Sequence, residues 1–247
     1  MQVTQARLSV AEACRVMALA GLASDVLGHV SFRIGADELL VRCRGPQDKG
    51  LLFTTPDDVH LVRFDGRNEV PAGYAMPSEL PIHIEVMRSR PEVNAVVHAH
   101  PQATVVADLA GLKLRPIIGA YNIPAMRMAR DGIPVYSRAV LIRRAELAVQ
   151  MLAAMGRAPV CVLRGHGLVA SGATIAEAVI RALNVESLAR VVLGVAQAGG
   201  HPPDLPDEDI AELPDLGSAF NDDANWRYYA AKAHSLGAGG TQCSGKS

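Results

Sequence analysis

Two histidines one residue apart, His98 and His100, are the residues of this sequence best suited to bind a metal ion. Side chains of an extended chain alternate between its two faces, so both imidazoles of His98-Ala99-His100 project on the same side. That arrangement suits chelation of one divalent ion, although a His-x-His pair alone is equally compatible with a structural role. A third histidine, His166, lies between two glycines, which let the backbone approach a site closely. Three histidine ligands would leave coordination positions open for a substrate.

Glu79 is the carboxylate whose position suits acid-base chemistry. It stands at the predicted start of a helix, where the helix dipole would also stabilise an ordinary negative charge. As a functional group, Glu79 would ligate a metal ion before substrate binds and then act as an acid or a base. His83, one helical turn later, lies on the same helix face and is expected either to orient that carboxylate or to lie at the helix surface.

Short predicted strands lie just before the histidines and would position them. Residues 93–97 form a β-branched run that ends just before His98, and residues 160–163 form an apolar run that ends just before the turn holding His166. Upstream, a turn at 35–37 separates two strand-like runs and predicts a hairpin over residues 29–43, followed by a strand over residues 59–64. Apolar residues at helical spacing predict helices over residues 4–22, 80–90, 102–109, 143–155 and 174–198.

Helices that alternate with short, partly hairpin-connected strands predict one α/β domain with a mixed, largely antiparallel sheet covered by helices. The chain has 247 residues, a length that suits one compact domain or two at most. We predict a single domain over residues 1–236. The low-complexity segment 237–247 is expected to be a flexible tail.

The composition disfavours nucleic acid and membranes as partners. The chain carries 24 basic and 25 acidic side chains, a formal charge of −1, so it lacks the positive field that attracts nucleic acid or an anionic membrane. The apolar stretch over residues 10–27 is interrupted by charged residues, which argues against a membrane span or a secretory signal. Four cysteines show no paired metal spacing. These features predict a cytoplasmic protein with reduced thiols that acts on a small molecule.

Five segments follow one another in an order typical of one protein family. They are Gly28-His29-Val30-Ser31, Phe53-Thr54-Thr55-Pro56, Pro77-Ser78-Glu79 followed by His83, Ala95-Val96-Val97-His98-Ala99-His100-Pro101, and Leu163-Arg164-Gly165-His166-Gly167. From about residue 8 to 195, the sequence thereby resembles the class II aldolase/adducin family. The resemblance implies a three-layer α/β/α sandwich and a zinc, manganese or iron ion on His98, His100 and His166. It also implies Glu79 as the acid/base residue and a homotetramer with active sites at subunit interfaces.

The resemblance leaves the reaction open, because the family contains sugar-phosphate aldolases, decarboxylases of hydroxylated aromatic acids and non-catalytic adducin-like proteins. Phosphate-binding members carry small polar residues in three loops. This sequence has His29, the pair Asp57-Asp58 and a single serine, Ser78, in the segments that we equate with those loops. Two carboxylates near such a loop would repel a phosphate. The sequence is more similar to the aromatic decarboxylases, and residues 123–127 and 211–217 are most similar to members that act on dihydroxyphthalates.

The resemblance therefore implies a metal-dependent, non-oxidative decarboxylase of a hydroxylated aromatic dicarboxylic acid, with 3,4-dihydroxyphthalate as the expected substrate and protocatechuate as the product. The alternative is a metal-dependent aldolase or epimerase that acts on a sugar-derived substrate. The two differ in whether carbon dioxide or a ketone and an aldehyde is released. A non-catalytic module would be expected to lose metal ligands, and this sequence keeps all of them.

A second set of residues is expected to contact the substrate. Glu79 or His29 would protonate the ring carbon, and an arginine fork would bind a second carboxylate. The candidate forks are Arg33 and Arg164, with Arg42 and Arg44 as further possibilities. Near the C terminus, Tyr228 or Tyr229 is expected to close over the site of a neighbouring subunit, and Tyr228 is the one that we assign. The expected substrate-contacting residues are thus His29, Arg33, Ser78, Arg164 and Tyr228.

Overall fold

A computed structural model describes residues 2–66 and 70–239 of the chain. Its strands are β1 (His29–Gly35), β2 (Glu38–Arg42), β3 (Val59–Arg63), β4 (Ala95–Ala99), β5 (Val135–Tyr136), β6 (Val160–Leu163) and β7 (Gly167–Gly172). They form one sheet in the order β3-β2-β1-β4-β7-β6-β5. Among the described residues, β5 and β6 run parallel and every other neighbouring pair runs antiparallel. The predicted mixed, mostly antiparallel sheet is confirmed.

Eight helices surround the sheet in the described part of the chain. They are α1 (Val3–Leu19), α2 (Leu80–Ser89), α3 (Gln102–Leu109), α4 (Ile123–Met128), α5 (Ala145–Met155), α6 (Ile175–Gln197), α7 (Asp207–Glu212) and α8 (Asn225–Gly239). Further helical turns span Leu51–Phe53, Pro56–Asp58 and Ala219–Ala224. None of the described helices is long and apolar enough to cross a membrane.

Helices cover both faces of the sheet. On one face, α1, α3 and α6 pack their buried apolar residues against the sheet, and on the other face α2 and α5 do so. Successive residues of the central strand β4 divide between the two cores, since Val97 belongs to the first and Val96 to the second. Strand β4 is therefore buried on both sides, and the three-layer α/β/α sandwich is confirmed.

Local sequence signals explain where the longest helix begins and ends. The Thr174 hydroxyl accepts a hydrogen bond from the Glu177 backbone amide (3.1 Å) and so caps the start of α6. Gly199, just after its end, has a φ of +76°, a left-handed conformation that glycine adopts without strain. These signals are the ones that predicted a helix over residues 174–198.

Several features of the chain differ from the prediction, among them α4, α7 and β5, which were not predicted. Strand β7 was not predicted, because its sequence, Gly-Leu-Val-Ala-Ser-Gly, combines strand and loop residues and follows directly on a tight turn. The predicted flexible tail begins inside α8, which continues to Gly239. Residues 240–247 of that tail lie outside the described residues, and the boundary of the single domain stays a prediction.

Candidate metal centre

The end of the central strand β4 brings two histidines close to a third, which lies in the turn just before the neighbouring strand β7. His98 lies directly opposite His29 of β1, and the centroids of their rings are 5.0 Å apart. On the other side, β4 pairs with β7, which starts immediately after His166. The close pairing of these strands requires glycine at position 167, because a Cβ there would lie 2.1 Å from the carbonyl oxygen of Ala99. The sheet itself therefore sets the distance between His166 and the β4 histidines.

The three predicted histidine ligands and Glu79 form one cluster, in which the four ligand atoms all lie within 4.8 Å of one another. The Glu79 Oε2 atom is 3.0 Å from His98 Nε2 and 3.4 Å from His166 Nε2. The Nε2 atoms of His98 and His100 are 2.8 Å apart. Residues far apart in the sequence thus point their donor atoms at one small volume.

The donor set fits a divalent cation. The Nδ1 atom of His98 lies 3.1 Å from the carbonyl oxygen of Leu168, an acceptor, so Nδ1 carries the proton and Nε2 presents a lone pair to the cluster. Burial lowers the pKa of His100 to about 3, so this ring is neutral and also offers a lone pair. Lone pairs that face one another and a carboxylate repel unless a cation lies between them. Three imidazole nitrogens and one carboxylate oxygen are ligands that zinc, iron and manganese accept.

Glu79 is buried just before the first residue of α2, with 4% of its surface exposed. Its Oε1 atom accepts a hydrogen bond from the Ile142 backbone amide (2.9 Å), which fixes the carboxylate and leaves Oε2 facing the histidines. Burial alone would raise the pKa of this carboxyl, but the adjacent His166 and His98 rings hold the pKa well below its usual value. Glu79 is therefore an ionised carboxylate beside the three imidazoles.

A network of hydrogen-bonded side chains lies next to the metal cluster. His83 is completely buried, and its Nε2 lies 2.6 Å from His29 Nδ1, while its Nδ1 lies 2.6 Å from Ser31 Oγ. Burial lowers the pKa of His83 to about 3 and also lowers the pKa of His29, so both rings are neutral. The expectation that His83 orients Glu79 is wrong, because both of its nitrogens contact other residues.

A cavity of about 200 Å³ opens beside the cluster. Its lining combines candidate metal-binding residues, other polar residues and apolar residues. The residues that line it are Val26, Leu27, Gly28, His29, Arg42, Arg44, Pro77, Ser78, Glu79, His100 and Leu141. The cavity thus brings the predicted residues His29 and Ser78 to the metal cluster, together with two arginines. Its volume suits a ligand of about one substituted ring, smaller than the 300–1,000 Å³ of sites for drug-sized molecules.

Arg33, predicted to bind substrate, does not lie at this cavity. It is four residues beyond His29 along β1, a separation of about 13 Å at 3.3 Å per residue. Its guanidinium donates hydrogen bonds to the carbonyl oxygens of Val93 (3.1 Å) and Met87, and it stacks over the ring of Phe64. Arg33 therefore connects β1 to the end of α2. The prediction that Arg33 contacts a substrate in the cavity of its own chain is wrong.

Arg164 also lies away from the cavity, although it is only two residues from His166. Its Nε atom pairs with Asp108 (3.1 Å), and both residues line a different cavity, of about 430 Å³. Asp108 additionally accepts a hydrogen bond from the Gly165 backbone amide (2.7 Å). The pair therefore anchors the turn that presents His166 and does not reach the metal cluster.

Tyr228 is 61% exposed on α8, where its ring contacts Tyr229 edge-on at 5.1 Å between centroids. It does not line the metal cavity of its own chain. The expected contact with the site of a neighbouring subunit stays a prediction.

Asp57 and Asp58 do not line the cavity, so the condition under which they would repel a phosphate there is not met. Both lie in a short helical turn, where Asp58 accepts hydrogen bonds from the Thr55 amide (2.8 Å) and hydroxyl (2.9 Å). Arg42 and Arg44 contribute to the cavity wall instead. The sequence signal for these two residues is an Arg-x-Arg pair at a strand end, which places both side chains on one face.

Comparison with known proteins agrees with this geometry. The family model of the class II aldolase and adducin N-terminal domain matches residues 8–193. A 3,4-dihydroxyphthalate decarboxylase of Terrabacter sp. (strain DBF63) is 56% identical over 92% of this chain and 96% of its own. One from Arthrobacter keyseri is 53% identical over 92% of this chain and 93% of its own. A crystal structure of an aldolase II superfamily protein from Pseudomonas syringae has a TM-score of 0.77 at 21% identity and covers 95% of this chain and 94% of its own. This chain belongs to the class II aldolase and adducin family.

Proposed function

We propose that this protein is a metal-dependent, non-oxidative decarboxylase that converts 3,4-dihydroxyphthalate to protocatechuate. The observation that carries the proposal is the lining of one small cavity by metal ligands, by a histidine and by two arginines. The relatives that are more than 50% identical over nearly the whole chain act, by name, on that substrate. The chemistry of the cavity and the names of the relatives therefore support the same reaction.

His98, His100 and His166 would hold the divalent ion, with Glu79 as the carboxylate beside it. When bound there, the ion would supply Lewis-acid polarisation of the substrate's oxygen atoms. We propose zinc, manganese or iron for this position, since imidazole nitrogen accepts all three. One ion per subunit follows from the single cluster that these four residues make.

The reaction breaks the bond between a ring carbon and a carboxylate carbon, and the ring carbon takes up a proton as carbon dioxide leaves. We assign the movement of that proton to His29 or Glu79, the acid-base groups that line the cavity, either of which would take it from a substrate hydroxyl or from solvent and pass it to the ring carbon. Nδ1 of His29 contacts His83, so Nε2 of His29 is the ring nitrogen available to contact the substrate. Ile142 holds Oε1 of Glu79. Both groups are thus fixed in orientation before substrate binds, and Ser78 adds a polar contact at the same wall.

We further propose that residues 1–236 act as a single domain in a cytoplasmic homotetramer. Tyr228 is exposed, so its phenol is free to reach a neighbouring subunit. The substrate is a small aromatic acid, and the cavity offers apolar contacts to a ring through Leu27 and Leu141.

The direct test is the conversion of 3,4-dihydroxyphthalate by purified protein that has been stripped with a chelator and reloaded with zinc, manganese or iron. We expect carbon dioxide and protocatechuate in equal amounts from the reloaded protein and neither from the stripped protein. Metal-loaded protein that releases no carbon dioxide, and that instead cleaves a sugar-derived substrate to a ketone and an aldehyde, would support the aldolase alternative.

A further inference from the structure

Arg42, at the end of β2, is an unusually buried arginine with an unused hydrogen-bond donor. Only 4% of its surface is exposed, and its Nε atom is buried without a hydrogen-bond partner among the described residues. Buried polar groups are satisfied in the large majority of cases, so an unpaired guanidinium nitrogen calls for a ligand or another explanation. The side chain of Arg42 also lines the cavity, together with His29 and His100.

An ion pair with Asp48 fixes the position of the Arg42 guanidinium. Its Nη2 atom donates to Asp48 Oδ1, and the same oxygen accepts a hydrogen bond from the Gly50 backbone amide (2.9 Å). Gly50 has a φ of +91°, and a Cβ there would lie 2.2 Å from the carbonyl oxygen of Asp25, so the loop is closely packed. Asp48 therefore neutralises Arg42 and orients its guanidinium.

Arg44 extends the same wall. It follows Arg42 by two residues, so the two side chains share a face of the extended chain, and both line the cavity. The Arg44 backbone exchanges two hydrogen bonds of 2.8 Å with Ala75, which ties this wall to the segment leading to Glu79. Because Asp48 offsets Arg42, Arg44 leaves a net positive charge at this wall of the cavity.

We infer that Arg42 binds the carboxylate that stays on the aromatic ring when carbon dioxide leaves, and that Arg44 supplements its charge at the rim. A planar guanidinium matches a carboxylate through two parallel hydrogen bonds. In the same cavity, Leu27 and Leu141 offer apolar surface for the ring. The inference rests on the proposed function for the identity of the ligand, and it makes Arg42 the residue that selects a dicarboxylic over a monocarboxylic substrate.

The test measures binding without turnover. Protocatechuate keeps the retained carboxylate and both hydroxyls of the proposed substrate, whereas catechol lacks the carboxylate. Isothermal titration of metal-loaded wild-type protein should show tighter binding of protocatechuate than of catechol. Arg42→Gln should weaken protocatechuate binding by about 10- to 100-fold, in the range of hydrogen bonds to charged groups, and change catechol binding by less than about twofold.

Three further variants control for indirect effects. Arg42→Gln leaves Asp48 without its partner, so Arg42→Gln/Asp48→Asn is compared with Asp48→Asn, and the difference isolates the guanidinium even if the single variant folds poorly. Arg63→Gln is the matched surface control, because Arg63 lies on the neighbouring strand with 59% of its side chain exposed, paired with Glu38. It should bind both ligands like the wild type.

The outcomes separate this inference from the proposed function. Equal weakening of both ligands in the Arg42 variants, or no weakening of either, would overturn the carboxylate site. A wild-type protein that binds catechol as tightly as protocatechuate would do the same. If the variants discriminate as expected but wild-type protein releases no carbon dioxide from 3,4-dihydroxyphthalate, the carboxylate site stands and the proposed function fails.

Discussion

The Nε2 atom of His83 lies 2.6 Å from the Nδ1 atom of His29, and the His83 ring is completely enclosed by protein. His29 in turn faces His98 across the β1–β4 pairing. A buried residue without access to the cavity thereby fixes the ring plane of a residue that lines it. His83 is a positioning residue in this account, since it acts on the substrate only through His29.

His83→Leu should lower kcat by about 100-fold, because His29 loses the contact that sets its orientation; this loss is at the low end of the roughly 10²- to 10⁴-fold contribution of an acid-base group. Metal content should not change, since His83 is not a ligand. His83→Gln, whose amide offers both a donor and an acceptor, should recover part of the rate. Steady-state kinetics with metal analysis of each variant tests this, and an unchanged kcat in folded His83→Leu would remove His83 from the mechanism.

Substitution of a metal ligand and substitution of the carboxylate should differ in their effects. His98→Ala should abolish bound metal and turnover while leaving the fold intact, because the other two histidines cannot hold the ion alone at ordinary metal concentrations. Elemental analysis and circular dichroism of the purified variant provide the measurement. A folded, metal-free His98→Ala protein with wild-type activity would refute the metal site.

Glu79→Gln should keep the metal and lose rate by a factor of about 10² or more, as expected for removal of an acid-base group. The amide is isosteric with the carboxylate, and its oxygen can still accept the Ile142 hydrogen bond. Metal content and kcat measured on the same preparation test this. Retention of the full rate would show that Glu79 has no part in proton transfer.

Much of the site follows from local sequence. A strand of five residues, β4, ends at Ala99, and the predicted alternation does place His98 and His100 together. The predicted helix starts at Leu80 and Gln102 match the structure, because a proline lies at the start of each helix and acts within a few residues. Features that depend on residues close together in the sequence could therefore be predicted from the sequence.

The sequence alone could not show which of the arginines lies at the cavity. Arg33 and Arg42 both lie on strands of the hairpin, but the pairing of Arg33 with Leu39 places it toward the opposite end from His29. Only the strand register decides which end of each strand meets the metal cluster. The partners of His83 depend on the packing of α2 against β1 and could not be read from helical spacing.

Gly167→Ala should destabilise the protein and reduce its metal content. A Cβ would approach the Ala99 carbonyl to 2.1 Å, so β7 must shift from β4 at a cost of about 1–3 kcal/mol or more, as for other forced overpacking. Gly194→Ala is the matched control, because Gly194 lies in α6, where an added Cβ would meet nothing within 4 Å and alanine favours the helix. Urea denaturation compares the two, and equal stability would contradict the close approach of the strands.

The buried thiols should be unreactive in the folded protein. Burial raises the pKa of Cys14 to about 11 and that of Cys43 and Cys161 to about 12, and the thiolate is the reactive form. In a Cys243→Ser background, which removes the one thiol outside the described residues, a disulfide reagent at pH 8 should label less than one thiol per folded chain. Denatured chains should label three, and rapid labelling of the folded protein would contradict the burial.

The same thiols predict how stability changes with pH. Because their pKa is raised on folding above the ordinary value of 9.0, the folded state keeps its protons more strongly. Their contribution to stability is full below pH 9 and declines as pH rises toward 11, by up to about 1.4 kcal/mol per pH unit for each thiol. Urea midpoints should therefore fall between pH 8 and pH 10.5, and substitution of Cys161 by alanine should reduce the size of that fall.

The most direct test of the account is a titration of chelator-stripped protein with metal, in which carbon dioxide release from 3,4-dihydroxyphthalate is followed at each metal-to-chain ratio. We predict that the rate rises in proportion to bound metal, breaks at one ion per chain and stays constant beyond it, with protocatechuate as the product. Carbon dioxide release that is independent of metal content, or a fully loaded protein that releases none, would contradict it.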